Sequence, residues 1–330
     1  MFAPFEYARP KSVADAVEAL RTEGAVVHGG GSDLLTCLRE HIVAAEKLVS
    51  LSSLAQELSG VREMNGGGLR IGAMTTITEV AENEFVRSRY PGLAQAASEV
   101  GSPQLRNQGT IGGNICQKPR CWYYRGDFDC IRKGGPVCYA VGGENQFHCI
   151  FGGQNCFIVH PSDTAPALVA LNASVTIMGP GGKRTEKIED IFVLPEDDPT
   201  RETTIERDEF IIAVEIPAPP KGQRFHNSYR KVRARRSWDF ALSGLALALG
   251  MDGDTVVSGR AVFSGAAPIP WRSNELEQAI TGRQLTPSVI ADAVEAAMAN
   301  AEPMSKNGFK IPLFKGMLRE ELAKASGATE

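Results

Sequence analysis

The run Gly101-Ser102-Pro103-Gln104-Leu105-Arg106-Asn107-Gln108-Gly109-Thr110-Ile111-Gly112-Gly113-Asn114 joins glycines to a small hydroxyl and an amide. Cys116 follows two positions later. Backbone without a Cβ can approach a phosphate closely. A loop of the same character, His28-Gly29-Gly30-Gly31-Ser32-Asp33-Leu34, follows the apolar run Ala25–Val27 and opens a helix, whose N-terminus adds free N–H groups. That loop is not a Rossmann fingerprint, because Leu34 stands where the third glycine belongs. It is not a P-loop either, since no Gly-Lys-Ser/Thr closes it. Alone, such a loop is also what an ordinary strand-to-helix turn looks like. Two of them suit the two ends of one pyrophosphate and together favour a dinucleotide. Gly179-Pro180-Gly181-Gly182-Lys183 lies between strand-like runs and reads as a hairpin turn.

Working outward, the first half alternates short strands (Phe5–Tyr7, Ala25–His28, Lys47–Leu51, Leu69–Ile71) with helical stretches, one of them opened by Ser12 and running to Leu20. Residues 105–160 show neither helical nor strand period. Their aromatics argue for a packed, functional loop rather than disorder. Beyond it come a helix near Thr164–Leu171, with Ser162-Asp163 as a cap, a strand at Ala173–Met178, an exposed charged loop over 195–208, and a strand at Phe210–Ile216. Pro217, Pro219 and Pro220 mark a domain boundary. The remainder reads as an antiparallel sheet (Ser228–Val232, Ala241–Met251, Thr255–Phe263) carrying helices near Glu275–Ile280, Pro287–Asn300 and Lys315–Ala325.

Six of the seven cysteines fall between Cys116 and Cys156. Thiols so crowded form disulfides, bind a metal, hold an iron–sulfur cluster, or stay reduced and buried. The N-terminus shows no secretory signal, so a reducing cytoplasmic compartment is expected and disulfides are disfavoured. The spacing Cys121-x8-Cys130-x7-Cys138-x17-Cys156 contains no C-x2-C pair, which weakens zinc-ribbon and thioredoxin readings and also fails the common ferredoxin spacings. Lys118, Arg120, Arg125, Arg132 and Lys133 lie among the cysteines and would offset the negative charge of a cluster. At this level zinc and a metal-free loop stay open.

The chain has 330 residues, 43% apolar, with a formal charge of −4. That is enough for two domains with real cores and gives no reason to expect nucleic acid or an anionic membrane as partner. No apolar run is long enough to span a membrane. The basic run Tyr229-Arg230-Lys231-Val232-Arg233-Ala234-Arg235-Arg236 reads most simply as a solvated strand face. No Ser/His/Asp or Cys/His arrangement suggests a nucleophilic site.

Taken together, Phe5-x-Tyr7-x-Arg9-Pro10, the two glycine loops, Leu69-Arg70-Ile71-Gly72-Ala73, His160-Pro161-Ser162-Asp163 and Tyr229-Arg230-Lys231-Val232 make the chain resemble the FAD-binding medium subunit of the molybdenum hydroxylases, the xanthine dehydrogenase, carbon monoxide dehydrogenase and aldehyde oxidase family. The resemblance covers nearly the whole chain. It implies an α+β protein: a two-part FAD-binding α/β domain of the PCMH/VAO-like type over 1–221, then a CO dehydrogenase flavoprotein C-terminal-like domain, an antiparallel sheet with helices, over 222–330. It implies that Val27, His28, Gly29, Gly30, Gly31, Ser32, Asp33 and Leu34, with Gly101, Ser102, Gln104, Thr110, Gly113 and Asn114, bind FAD. Ser162 and Asp163 would contact its ribityl and adenosine portion, and Lys231 would reach the flavin side.

The cysteine segment at about 116–157 is similar to the insertion of a subset of the family, the periplasmic aldehyde oxidase flavoprotein above all, that carries a [4Fe–4S] cluster. This implies Cys121, Cys130, Cys138 and Cys156 as ligands. Cys116 and Cys149 stand outside that set, Cys116 being grouped with the FAD-binding residues. The implied partners are a large molybdopterin-binding subunit, a small [2Fe–2S] subunit and an external electron acceptor. Export together with a partner subunit stays compatible with the missing signal. The rival expectations are a zinc-stabilised scaffold without flavin and a self-sufficient flavin oxidase.

Overall fold

Short runs of β-branched and apolar residues build the first layer. A computed structural model describes residues 2–327. In it Glu6–Ala8 (β1), Ala25–His28 (β2) and Lys47–Ser50 (β3) form a parallel sheet in the order β1-β3-β2. The helix Val13–Leu20 covers it, burying Ala16, Val17 and Leu20 at helical spacing, with the Ser12 side chain accepting from the Asp15 N–H as N-cap.

Val61–Glu63 (β4), Leu69–Gly72 (β5), Ser174–Gly179 (β6), Gly182–Lys187 (β7) and Phe210–Ile216 (β8) make an antiparallel sheet in the order β4-β5-β8-β6-β7. Its central strand β8 is Phe-Ile-Ile-Ala-Val-Glu-Ile and is buried except at Glu215. Phe210 and Ile212 pack with the first layer, whereas Ile211, Val214 and Ile216 join the main core. The two faces of one strand thus join the two parts of the N-terminal half.

Arg224–Val232 (β9), Ser243–Asp252 (β10), Thr255–Ser264 (β11) and Trp271–Arg272 (β12) form the last sheet, antiparallel, in the order β12-β11-β10-β9. In β10 the alternation is literal. Leu245, Leu247 and Leu249 face the helices Asn274–Ile280, Pro287–Met298 and Lys310–Ser326, while Ala246 and Ala248 face the main core.

Boundaries differ from expectation at several points. β9 starts four residues early, at Arg224. The last helix starts at Lys310 rather than Lys315, because Pro312 falls in its first turn, where a missing N–H is tolerated. Residues 105–160 do contain helices, over Pro103–Gln108, Ile111–Ile115 and Trp122–Arg125, each too short to show a period. The charged 195–208 loop is not a free surface loop: Glu202 is largely buried by contacts described below.

Candidate functional site

The first glycine loop leaves β2 and enters the helix Leu34–Arg39. Gly31 has φ +76°, a left-handed conformation that favours glycine. A methyl group on Gly30 would lie 1.8 Å from the Gln108 carbonyl oxygen, so the two glycine loops touch at a point only glycine allows. Among the described residues, no protein acceptor takes the amides of Gly30, Gly31, Ser32 or Asp33. These are the free donors an anion needs.

The second loop differs. Thr110 caps the helix Ile111–Ile115 and its hydroxyl accepts from Gly113 N–H at 3.2 Å. Ile111 N–H donates to Thr75 and Gly112 N–H to Ala73. The amides of Gly109 and of Ile111 to Asn114 are therefore spent on the protein, and the loop offers mainly side chains. Ser162 and Thr164 hydroxyls both donate to Asn114 Oδ1 at 2.6 Å, which sets the amide's orientation and leaves its NH2 as a donor. The two loops thus differ in what they present: the first offers free backbone amides and the second mainly side chains.

Between the loops lies a cleft of about 700 Å³. Of the residues expected to hold a cofactor, Val27, Gly29, Gly30, Gly31, Ser32, Asp33, Leu34, Gly101, Thr110, Gly113, Asn114, Cys116 and Asp163 line it. His28, Ser102, Gln104, Ser162 and Lys231 are not on its walls. His28 packs edge-on to Tyr7, and burial lowers its imidazole pKa. Ser102 caps the helix Pro103–Gln108, and Gln104 faces solvent. Ser162 accepts from Ala165 N–H and caps the helix Thr164–Ala170, a role Asp163 does not share.

Lys231 is buried rather than solvated. Its ammonium donates to Asp163 at 2.7 Å and to the Glu99 carbonyl at 3.1 Å, and so reaches the cleft through Asp163. Tyr229 donates to the other Asp163 oxygen at 2.7 Å. Burial pushes the Asp163 carboxyl up, and Lys231 and Tyr229 oppose that shift. Neighbouring Arg233 pairs with Glu99. The reading of this basic run as a solvated face is corrected at both positions, because buried carboxylate and carbonyl oxygens need donors.

Sequence reasoning missed two walls of the cleft. One is residues 200–207, and the other is Trp238-Asp239-Phe240, held by the Trp238 N–H to the Gly101 carbonyl at 3.0 Å. The aromatic pair just after the basic run was the available signal; the charged loop carried none.

All seven cysteines are free thiols, so disulfides play no part among the described residues. The thiols of Cys121, Cys138 and Cys156 lie near enough that the charges of Cys138 and Cys156 oppose ionisation of Cys121. Burial pushes Cys121 up to about 11 and raises Cys156 as well. Cys121 Sγ is 3.3 Å from His148 Nε2. Among the described residues no three His, Cys, Asp or Glu side chains converge as a single-ion site. The cations expected to offset a cluster are mostly committed elsewhere. Arg120 and Arg125 bind Asp33, Lys118 and Arg132 bind Glu202, and Arg132 also lies near enough to favour the Cys156 thiolate. Carboxylates within reach took those charges because burying an unpaired cation is costly.

A cleft with free amides at a glycine loop, walled in part by Trp238 to Phe240 of an α+β domain, has the form of a dinucleotide-binding protein. The chain matches the FAD binding domain in molybdopterin dehydrogenase over residues 3–219 and the CO dehydrogenase flavoprotein C-terminal domain over 227–325, and it belongs to the family of FAD-binding medium subunits of molybdenum hydroxylases. It is 35% identical over 327 residues to the aldehyde oxidoreductase FAD-binding subunit PaoB of Escherichia coli (strain K12), covering 97% of this chain and 98% of that one. It is 29% identical over 302 residues to the carbon monoxide dehydrogenase medium chain of Hydrogenophaga pseudoflava, covering 91% and 88%. The solved carbon monoxide dehydrogenase from Hydrogenophaga pseudoflava has a chain that superposes with a TM-score of 0.77 at 27% identity, covering 99% of both.

Proposed function

We propose that this chain is the electron-transferring flavoprotein subunit of a heterotrimeric molybdenum hydroxylase. FAD in the cleft takes electrons from [2Fe–2S] clusters of a small partner subunit and passes them to an external acceptor. Substrate is oxidised in a large molybdopterin-binding subunit. The flavin domain extends over 1–221 and the C-terminal domain from 222. The observation that carries this reading is the cleft itself, with the free amides of Gly30 to Asp33 on one wall and Asp163, backed by Lys231, on another. The relatives are named as FAD-binding subunits or medium chains of aldehyde, xanthine and carbon monoxide oxidoreductases, which supports a subunit role. No described helix is long and apolar enough to cross a membrane.

The finer part of the proposal is a [4Fe–4S] cluster held by Cys121, Cys130, Cys138 and Cys156. In its support, Cys121, Cys138 and Cys156 are neighbours, and burial raises the thiol pKa of Cys121 and Cys156, which a bound metal would offset. Anaerobic purification with flavin, iron and acid-labile sulfide counted per chain tests both parts. Flavin with iron and sulfide is expected. Flavin alone would remove the cluster, and a colourless zinc protein would remove the whole reading.

A further inference from the structure

The cysteine segment grips both walls of the flavin cleft. On one side the Asp33 carboxylate, at the head of the helix after the glycine loop, takes three donors from it. These are Arg125 Nη2 at 2.9 Å, Arg120 Nη2 at 2.9 Å and the Lys118 backbone N–H at 2.7 Å. On the other side Glu202, in the 200–207 wall, takes Arg132 Nη2 at 2.5 Å and Lys118 Nζ at 2.5 Å, while Arg132 Nη1 donates to the Pro199 carbonyl at 2.8 Å. Asp33 and Glu202 line the cleft; Arg125 and Arg132 do not. Both arginines are largely buried, so their ion pairs are little screened by solvent.

We propose that residues 118–132 are a clamp across the cleft, and that Arg125 and Arg132 are positioning residues which set FAD affinity without touching FAD. The proposal rests on the reading of the cleft as the FAD site. Neither wall is part of a named strand at these points. The glycine loop lies beyond the end of β2, and among the described residues the 200–207 loop is paired through one isolated bridge, Phe192 to Thr203, with Val193 N–H donating to the Glu202 carbonyl at 3.1 Å and Thr204 N–H to the Ile191 carbonyl at 2.8 Å. One segment bonded to both therefore fixes the gap between them. Cys121 and Cys130 alternate with Arg125 and Arg132 along the chain, so whatever orders the thiols also orders the clamp.

The test uses the full chain with Arg125→Gln, Arg132→Gln and both together. FAD affinity is read by flavin fluorescence, and hydrogen exchange is followed over 29–36 and 200–207 in the FAD-free protein. The double variant is expected to weaken FAD binding about tenfold, a usual size for coupling between separate sites. Exchange should quicken at both walls and stay unchanged in β8, which reports an intact fold. Arg125→Lys, which keeps the charge, should recover part of the affinity. Unchanged FAD affinity and unchanged wall exchange, with faster exchange confined to 118–132, would overturn the clamp. If the wild-type chain takes up no FAD, the reading of the cleft fails by itself, and wall exchange in the same variants still decides the clamp.

Discussion

Gly30 is where the two glycine loops meet, and its missing side chain is a packing requirement before it is a binding one. Gly30→Ala sets a methyl group against backbone, which cannot turn aside as a side chain would. A cost of about 2–3 kcal/mol is expected in urea unfolding, with FAD binding lost together with stability. His160 is a second residue whose environment decides its behaviour. It is buried against Phe192, with ring centroids 4.9 Å apart, and burial lowers its pKa to about 4 from the usual 6.5. The unfolded chain then binds the proton more tightly than the native one. Stability from this group is full above pH 6.5 and is lost as pH falls from 6.5 towards 4. The unfolding midpoint should drop across that window, and His160→Gln should flatten the drop. At this scale the sequence was informative about glycines and caps, because their roles are local. It gave no sign of the ion pairs made by Lys231 and Asp33, whose partners lie far along the chain.

At the scale of elements, β10 illustrates what periodicity can and cannot convey. Leu-Ala-Leu-Ala-Leu announces a strand with two different faces. Only packing reveals that both faces are buried, leucines under the C-terminal helices and alanines on the flavin domain. Ala246→Leu should therefore cost about 1–3 kcal/mol by overpacking, read as a lower urea midpoint. The larger loss of about 2–5 kcal/mol belongs to Leu247→Ala, which opens a cavity on the other face. β8 had matched expectation from Phe210 to Ile216 because a continuous apolar run has clear ends. The helix Ile111–Ile115 could not be foreseen as a helix: five residues carry no period, and its glycines argue against one.

On the scale of the molecule, the cysteine segment is the part that belongs to no single domain. Its front contacts Asp33 and Glu202. Its back enters the C-terminal core, where Ile150 and Phe151 are buried and Phe151 stacks on Trp271 at 5.3 Å. Asn307 donates to the His148 and Cys149 carbonyls, both at 3.0 Å, and Lys310 donates to the His148 carbonyl at 2.9 Å. Asn307→Ala leaves buried carbonyls short of a donor, so a loss of about 1–3 kcal/mol is expected. Proteolysis within 116–147 should quicken before the rest of the chain is cut. None of this was legible from sequence, because contacts spanning 150 or more positions leave no local pattern.

That fastening also sets an order of assembly. The donors that fasten the segment's rear edge, Asn307 and Lys310, are made 159 and 162 residues after His148. Until translation reaches them, the His148 and Cys149 carbonyls lack these donors and the thiols stand on a loose strap. The strap is therefore made well before its fastening, and any metal it takes is secured only once Asn307 and Lys310 are in place.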